Sequence, residues 1–134
     1  MSTEQNKAIA RRSIEELWNG RNAEVIDELF IEDYRQPGAN SRRELKEEVI
    51  ALFAAGAPPD MHITIEDQIA EGDRVVTRWT WSFTHSVPFL GFAPTGKHIS
   101  WTGINIYRLE GGKIVEGWFN MDRLGLERQL GTIA

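Results

Sequence analysis

The stretch that decides the fold is residues 99–121, which read ISWTGINIYRLEGGKIVEGWFNM. Both halves are rich in Ile, Val, Tyr and Trp, the residue types that favour strands. Between them, residues 110–113 read Glu-Gly-Gly-Lys, and two adjacent glycines favour a tight hairpin turn. The stretch therefore predicts a β-hairpin with strands over Ile99–Leu109 and Ile114–Met121.

Two more strands are predicted upstream of this hairpin. Residues 61–65 alternate apolar and polar side chains, and a Glu-Gly-Asp turn at 71–73 leads into a second alternating run from Val75 to His85. A period of two is that of extended chain. Residues 88–97 are rich in Gly and Pro and predict a loop. Four long strands are thus expected in the second half of the chain.

The first half of the chain has helical spacing instead. A capping box at Ser2 opens a predicted helix whose apolar residues share one face as far as Gly20. Asn22 caps a second, with apolar residues through Phe30 on its inner face, and a Pro-Gly turn at 37–38 follows. A third runs from the capping box at 41–44 to Gly56.

Helices followed by hairpin-linked strands predict a single α+β domain over residues 1–134, in which the helices cover one face of an antiparallel sheet. Four of the five tryptophans fall on the predicted strands. On the third strand Trp101 and Tyr107 lie opposite Ile104 and Ile106, so both faces of the sheet carry apolar bulk. Since helices cover only one face, the other is expected to form a homodimer interface.

Composition excludes several function classes. A formal charge of -5 without a long basic run argues against a nucleic-acid partner. The absence of cysteine excludes disulfides, thiolate metal sites and a Cys nucleophile, and His62, His85 and His98 lack metal-ligand spacing. No apolar signal core or membrane-spanning stretch is evident, so no membrane partner and a cytoplasmic location are expected.

A carboxylate stands at the end of the last predicted strand. If residues 113–122 are extended, Glu116, Trp118, Asn120 and Asp122 share one face, which we interpret as a pocket wall. A carboxyl group held against indole and aliphatic surface loses hydration, which raises its pKa and suits it to proton transfer. The alternative is that Asp122 caps the segment Arg123–Leu130.

Several ordered motifs resemble those of a known family. They are IAEGDRVVTRW (69–79), FLGFAPTGK (89–97), TGINIY (102–107), GKIVEGW (112–118), Asp122 and QLG (129–131). Together they are similar to the SnoaL-like polyketide cyclase family of the NTF2-like superfamily. The resemblance implies a cone-shaped α+β fold, a curved sheet wrapped over helices around a deep apolar pocket, often dimerising through the outer face of the sheet.

The resemblance also implies a chemistry and a site. Family members close a ring by intramolecular aldol condensation without metal or organic cofactor, and Asp122 matches the aspartate that serves as general acid/base. We predict His85 as a second proton-transfer group, although a histidine at this position also suits a core or loop-anchoring role. The candidate residues for binding a hydrophobic small molecule are Tyr34, Gln36, Phe53, Trp79, Trp81, Phe83, Trp101, Asn105, Trp118 and Asn120.

The chain departs from the family pattern at two places. Gly117 stands where the family usually has His, and Arg35-Gln36 follows Tyr34 where an Asp-His pair is usual. Both replaced residues are polar pocket candidates in the family. The departures indicate either an altered substrate or a pocket that binds without turnover.

Three functions therefore remain open. The first is a cofactor-independent acid/base enzyme of the cyclase or isomerase kind, with Asp122 as proton carrier, acting on a hydrophobic polyketide-like or other carbonyl compound. The second is a non-catalytic binding module whose Trp-lined cone holds a planar ligand. The third is a hydrolase of the limonene-epoxide-hydrolase kind, which requires Asp122, Arg78 and Asp67 to converge.

Overall fold

The structure, a computed structural model, describes residues 2–37 and 41–131. Its helices and strands follow one another along the chain in this order: α1 (Thr3–Arg12), a π-helix (Ser13–Asn19), α2 (Val25–Leu29), β1 (Phe30–Arg35), α3 (Arg42–Ala54), β2 (His62–Glu71), β3 (Arg74–Thr84), β4 (His98–Glu110), β5 (Lys113–Met121) and α4 (Arg123–Leu130). The predicted α+β class is confirmed. Gly38, the end of the predicted Pro-Gly turn, lies outside the described residues.

The first predicted helix begins as expected and then changes its geometry. The Ser2 hydroxyl accepts the Gln5 backbone N–H at 3.1 Å, and the Gln5 side chain accepts the Ser2 N–H at 2.9 Å, which completes the capping box. From Ser13 the helix widens into a π-helix, a form that often accompanies functional sites. It buries Ile14 and Leu17 against the sheet.

The second predicted helix is shorter than its apolar pattern indicates. It ends at Leu29, and Phe30 adopts an extended conformation and begins β1, a strand that was not predicted from the sequence. Strand β1 pairs in parallel with β5, placing Phe30 beside Ile114. Hydrogen bonding to a strand more than eighty residues away therefore determines the conformation of Phe30, although the local apolar spacing favours a helix. The predicted antiparallel sheet therefore carries one parallel edge strand.

The five strands form one curved sheet in the order β1-β5-β4-β3-β2. All pairs other than β1–β5 are antiparallel, as predicted. The turn between β4 and β5 places Gly111 and Gly112 at φ of 55° and 81°. Both angles are left-handed, as the type I′ hairpin turn requires, so the two glycines fix this hairpin.

Alternation along β4 defines the two faces of the sheet. Trp101, Asn105 and Tyr107 are buried on what we call the inner face, which the helices cover, whereas Ile104 is 45% exposed on the outer face. Helix α4 closes one end of the sheet through buried Leu126 and Leu130. None of the helices in the described part of the chain is long and apolar enough to cross a membrane.

Candidate functional site

A cavity of about 450 Å³ lies between the helices and the inner face of the sheet. Its buried lining residues form the floor, and they are Ile14, Leu17, Phe30, Leu45, Val49, Ile63, Trp79, Asn105 and Tyr107. Its exposed lining residues form the mouth, and they are Glu48, Leu90, Phe119 and Met121. The volume and the mainly apolar lining suit a small hydrophobic molecule.

Three tryptophans form an aromatic wall in this cavity. The ring centroid of Trp81 lies 5.2 Å from that of Trp18 and 6.3 Å from that of Trp79. Trp79 lies across Gly103 on the neighbouring strand, so close that a Cβ atom there would come within 2.2 Å of the indole. The missing side chain at Gly103 is therefore what permits this position of Trp79. Such a wall suits stacking against a planar ligand.

Asn105 is a buried polar residue of the cavity floor, and a hydrogen bond from Trp79 fixes the orientation of its side-chain amide. The indole Nε1–H of Trp79 donates to Asn105 Oδ1 at 3.1 Å. Because an indole nitrogen only donates, this contact assigns the amide oxygen to Trp79 and leaves the amide NH₂ as the group that donates elsewhere. Asn105 is 3% exposed, so its amide is held in a largely water-free setting.

Tyr107 stands beside Asn105 on the same strand face. Burial raises the pKa of Tyr107 to about 12, against the opposing hydrogen bonds from the Ser13 and Asn105 side chains. The Ser13 hydroxyl also donates to the Ala10 carbonyl at 2.6 Å. The Asn105 side chain lowers the pKa of Tyr107, as a donor facing the phenol oxygen does, so its NH₂ group is directed towards Tyr107. An amide nitrogen carries two N–H groups, so Asn105 has a second donor besides the one directed towards Tyr107.

The packing of Tyr34 explains one departure from the family pattern, the glycine at position 117. The Tyr34 hydroxyl and Gln36 Oε1 are 2.9 Å apart, and Gln36 lines the cavity while Tyr34 is fully buried behind it. A Cβ atom at Gly117 would lie 2.3 Å from the Tyr34 hydroxyl oxygen. The space that a side chain at 117 would need is thus filled by Tyr34, whose pKa is raised by burial.

Four of the predicted ligand-binding residues line the cavity, namely Gln36, Trp79, Trp81 and Asn105. Four others pack behind its wall in the core, namely Tyr34, Phe53, Phe83 and Trp101. Phe53 contacts Trp18 edge to face at 6.1 Å, and Trp101 stacks on Trp81 at 4.9 Å. These residues support the aromatic wall and do not line the cavity themselves.

Glu116, Trp118 and Asn120, which were predicted to form a pocket wall, do not line this cavity. Glu116 and Trp118 instead line a separate pocket of about 450 Å³ with Arg35, Gln36, Pro37 and Gly117, and Asn120 lines a groove on the outer face. Asn105 pairs with Phe119 on β5, and residues opposite each other in an antiparallel pair share a face. Phe119 and Met121 therefore point to the cavity, while Trp118 and Asn120 lie on the outer face. There the ring of Trp118 lies 5.2 Å from the Arg74 guanidinium.

Asp122 is exposed and caps α4, as the alternative reading predicted. Its Oδ1 accepts the Gly125 backbone N–H at 2.8 Å, so the expected apolar surroundings of this carboxylate are not found. It shares a groove of about 300 Å³ on the outer face with Arg78, and Arg78 forms an exposed ion pair with Asp67 at 2.7 Å. Arg78 and Asp122 therefore line one outer groove, and Asp67 is paired with Arg78, all outside the cavity. Catalysis by Asp122 stays a prediction from the resemblance.

His85 anchors the loop that follows β3. The Thr95 backbone N–H donates to its Nδ1 at 3.3 Å, so Nδ1 carries no proton and Nε2–H donates to the Phe92 carbonyl at 3.2 Å. The side chain is fully buried, which agrees with the loop-anchoring reading. Within residues 2–37 and 41–131, no three His, Asp or Glu side chains are grouped as a metal ion would require.

Two polar residues of the cavity, Tyr107 and Glu48, were not predicted from the sequence. Tyr107 follows Asn105 by two residues on a strand, so alternation alone places them on one face. Glu48 is a carboxylate within the apolar stripe of α3, three residues after Leu45 and four before Leu52. Both signals are present in the sequence.

Comparison with known proteins covers nearly the whole chain. The family model described as SnoaL-like polyketide cyclase matches residues 8–130. A candidate polyketide cyclase from Acidithiobacillus ferrooxidans is 33% identical over 100% of both chains, with a TM-score of 0.83. IdmH from Streptomyces antibioticus, also described as a candidate polyketide cyclase, is 29% identical over 95% of this chain and 99% of its own, with a TM-score of 0.82.

A third solved structure, TsrD from Streptomyces laurentii, is 25% identical over 99% of both chains, with a TM-score of 0.86. No curated protein matches the chain. The family match and the shared fold run through the cavity and the strands that line it.

Proposed function

Because this chain belongs to the SnoaL-like polyketide cyclase family, we propose that it is a cofactor-independent acid/base enzyme that acts on a hydrophobic, polyketide-like carbonyl compound. The reaction is an aldol-type ring closure or a related proton transfer. The observation that carries this proposal is the amide of Asn105, clamped by Trp79 and Tyr107 in the floor of an apolar cavity.

The clamped amide has the property that enolate chemistry needs. When a proton leaves the carbon beside a carbonyl group, negative charge develops on the carbonyl oxygen. A donor already aimed at that oxygen stabilises the charge without reorganising, and the effect is larger where water is excluded. Asn105 offers one such N–H, and burial keeps competing water away from it.

The shape of the cavity supports a fused-ring or otherwise planar substrate. The tryptophan wall offers flat apolar surface, and about 450 Å³ falls in the range of small-molecule sites. Gln36 supplies a second polar group beside the mouth, so a substrate with oxygens at both ends is accommodated.

A bicyclic ketone tests the proposal. β-Tetralone has an acidic carbon between its carbonyl and its aromatic ring, and exchange of that hydrogen for deuterium is read by NMR or mass spectrometry. We expect the protein to accelerate this exchange. Asn105→Asp keeps an acceptor for Trp79 but removes the NH₂ donors, and it should lower the catalysed rate roughly 10²- to 10³-fold, the usual effect of losing one oxyanion donor.

Asn120→Asp is the matched control, because Asn120 lies exposed on the outer face. It should keep the wild-type rate. If the wild-type protein does not exceed buffer, or if Asn105→Asp and Asn120→Asp behave alike while both are folded by circular dichroism, the proposal is contradicted.

One observation favours a non-catalytic binding protein as the second candidate. Asp122, which matches the catalytic aspartate of the family, is committed to capping α4 outside the cavity. A binding protein would hold β-naphthol, a planar analogue of the β-tetralone enol, and would leave the exchange of β-tetralone at the buffer rate. The same pair of probes therefore separates the two candidates.

A further inference from the structure

We propose that Glu48 of α3 is the carboxylate that carries the proton for the substrate in this cavity. The inference rests on the proposed acid/base function and assigns its missing base. Among the carboxylates in the described part of the chain, Glu48 is the one that lines the cavity. Asp122, which the resemblance designates, lines the groove on the opposite face of the sheet.

The position of Glu48 follows from the helix that carries it. Leu45, Glu48, Val49 and Leu52 recur at spacings of three and four along α3, which puts them on one helical face. Leu45 and Val49 are buried against the core, so the same face brings the Glu48 side chain to the cavity mouth. A carboxylate in an apolar stripe needs a reason, because a Leu there would bury more surface.

Among the residues that the structure describes, Glu48 also differs from the charged side chains near it in having no partner. Glu47 forms an ion pair with Arg43 at 3.1 Å, and Asp27 accepts Lys46 at 2.6 Å. Within residues 2–37 and 41–131, the Glu48 side chain makes no hydrogen bond or ion pair. Its oxygens therefore remain free to accept a proton from a bound molecule.

The surroundings of Glu48 change when the cavity fills. Leu90, Phe119 and Met121 complete the apolar mouth around it, and each of them is at least 37% exposed. A hydrophobic ligand that enters the mouth displaces water from the carboxylate. Loss of hydration disfavours the charged form, which makes the carboxylate a stronger base towards the ligand.

Glu48 and Asn105 then divide one reaction between them. The Glu48 carboxylate takes a proton from the carbon beside the carbonyl, so a C–H bond breaks and an O–H bond forms. The C–H electron pair becomes a C=C bond, and the carbonyl π pair moves to the oxygen that Asn105 holds. In ring closure the enolate carbon attacks a second carbonyl of the same molecule, and the new alkoxide recovers the proton from Glu48.

The test compares three conservative variants on β-tetralone exchange. We expect Glu48→Gln to lower kcat roughly 10²- to 10⁴-fold, the usual contribution of general acid/base catalysis, while the Kd for β-naphthol changes by less than about threefold. Glu47→Gln is the matched control on the same helix and should keep wild-type kcat. Asp122→Asn should do the same, because Asn caps a helix about as well as Asp.

The outcomes separate the two proposals. An inactive wild-type protein overturns the proposed function and the role of Glu48 with it. If the wild type and Glu48→Gln are equally active while Asn105→Asp is impaired, only the role of Glu48 is overturned. Loss of activity in Asp122→Asn with full activity in Glu48→Gln overturns it as well, and assigns the proton to Asp122.

Discussion

Two glycines determine which aromatic side chains can pack beside the cavity. Gly103 and Gly117 each give up a side chain so that an aromatic group, Trp79 or Tyr34, can occupy the space. Trp79 uses that position to hold the oxygen of Asn105, and this contact decides which part of the amide faces a ligand. A substitution at Gly103 would therefore act on Asn105 without touching it.

The two tyrosines give a prediction that depends on pH. Tyr34 and Tyr107 are the only tyrosines of the chain, and burial raises the pKa of both, to about 12 for Tyr107. A raised pKa in the folded state gives stability that is complete below the ordinary value of about 10 and is lost as pH rises through the folded value. The native protein should therefore show no phenolate absorbance near pH 10, and phenolate should appear together with alkaline unfolding.

The same titration in concentrated urea is the control, because unfolding exposes both phenols and should return ordinary titration near pH 10. Phenolate that forms near pH 10 while the far-ultraviolet circular dichroism remains native would show that at least one tyrosine is exposed to solvent, which contradicts the burial of both side chains.

Alternation predicted the positions of Trp79, Trp81 and Asn105 correctly, because a strand period of two needs only local sequence. The same reasoning grouped Trp118 and Asn120 on one face, as the structure has them, but did not identify that face as the outer one. Both faces of β5 carry aromatic bulk, so the choice depended on the register with β4, which brings Phe119 opposite Asn105. Register is set between strands and is not contained in the pattern of either strand alone.

Elements of structure were predictable where their signals are local. The capping box of α1, the hairpins and the Ser41 cap that starts α3 all follow from residues within a few positions of one another. Strand β1 was missed because its partner β5 lies more than eighty residues away. The cap of α4 was predicted as the alternative for Asp122, and it is the role that the structure supports.

Asp122 gives a prediction at the start of α4. Its carboxylate accepts the Gly125 N–H, so Asp122→Ala should lower the free energy of unfolding by about 1 kcal/mol, as loss of a helix cap usually does. Asp122→Asn should leave it within a few tenths of a kcal/mol, because the amide oxygen accepts the same bond. Urea denaturation measures both values. If both variants lost the same free energy of unfolding, the stabilisation would come from the charge of Asp122 and not from its hydrogen bond to the Gly125 N–H.

The whole molecule presents an outer sheet face that the helices leave uncovered. Ile104 is 45% exposed there and lies beside Ile106 on the same strand face. We propose that two copies of the chain pair through this face, as the apolar residues on both faces of β4 suggested. Light scattering should then give about twice the mass of 15.3 kDa.

Substitution locates that interface. Ile104→Lys should return the mass to that of one chain, because a buried lysine without a partner opposes association. Ile50→Lys is the control, since Ile50 on α3 is 46% exposed and lies away from the sheet face. A wild-type mass of 15.3 kDa, or dissociation by both variants alike, would contradict pairing through the outer face.

The location of the chemistry is tested most directly by NMR of side-chain amides during a titration with β-naphthol. If the cavity takes the substrate as described, one amide proton of Asn105 moves to higher frequency as the naphthol oxygen accepts it, and the amide of Asn120 on the outer face does not move. If β-naphthol binds while the Asn105 amide stays unchanged, or if Asn120 responds in its place, the cavity and its clamped amide are not where the reaction occurs.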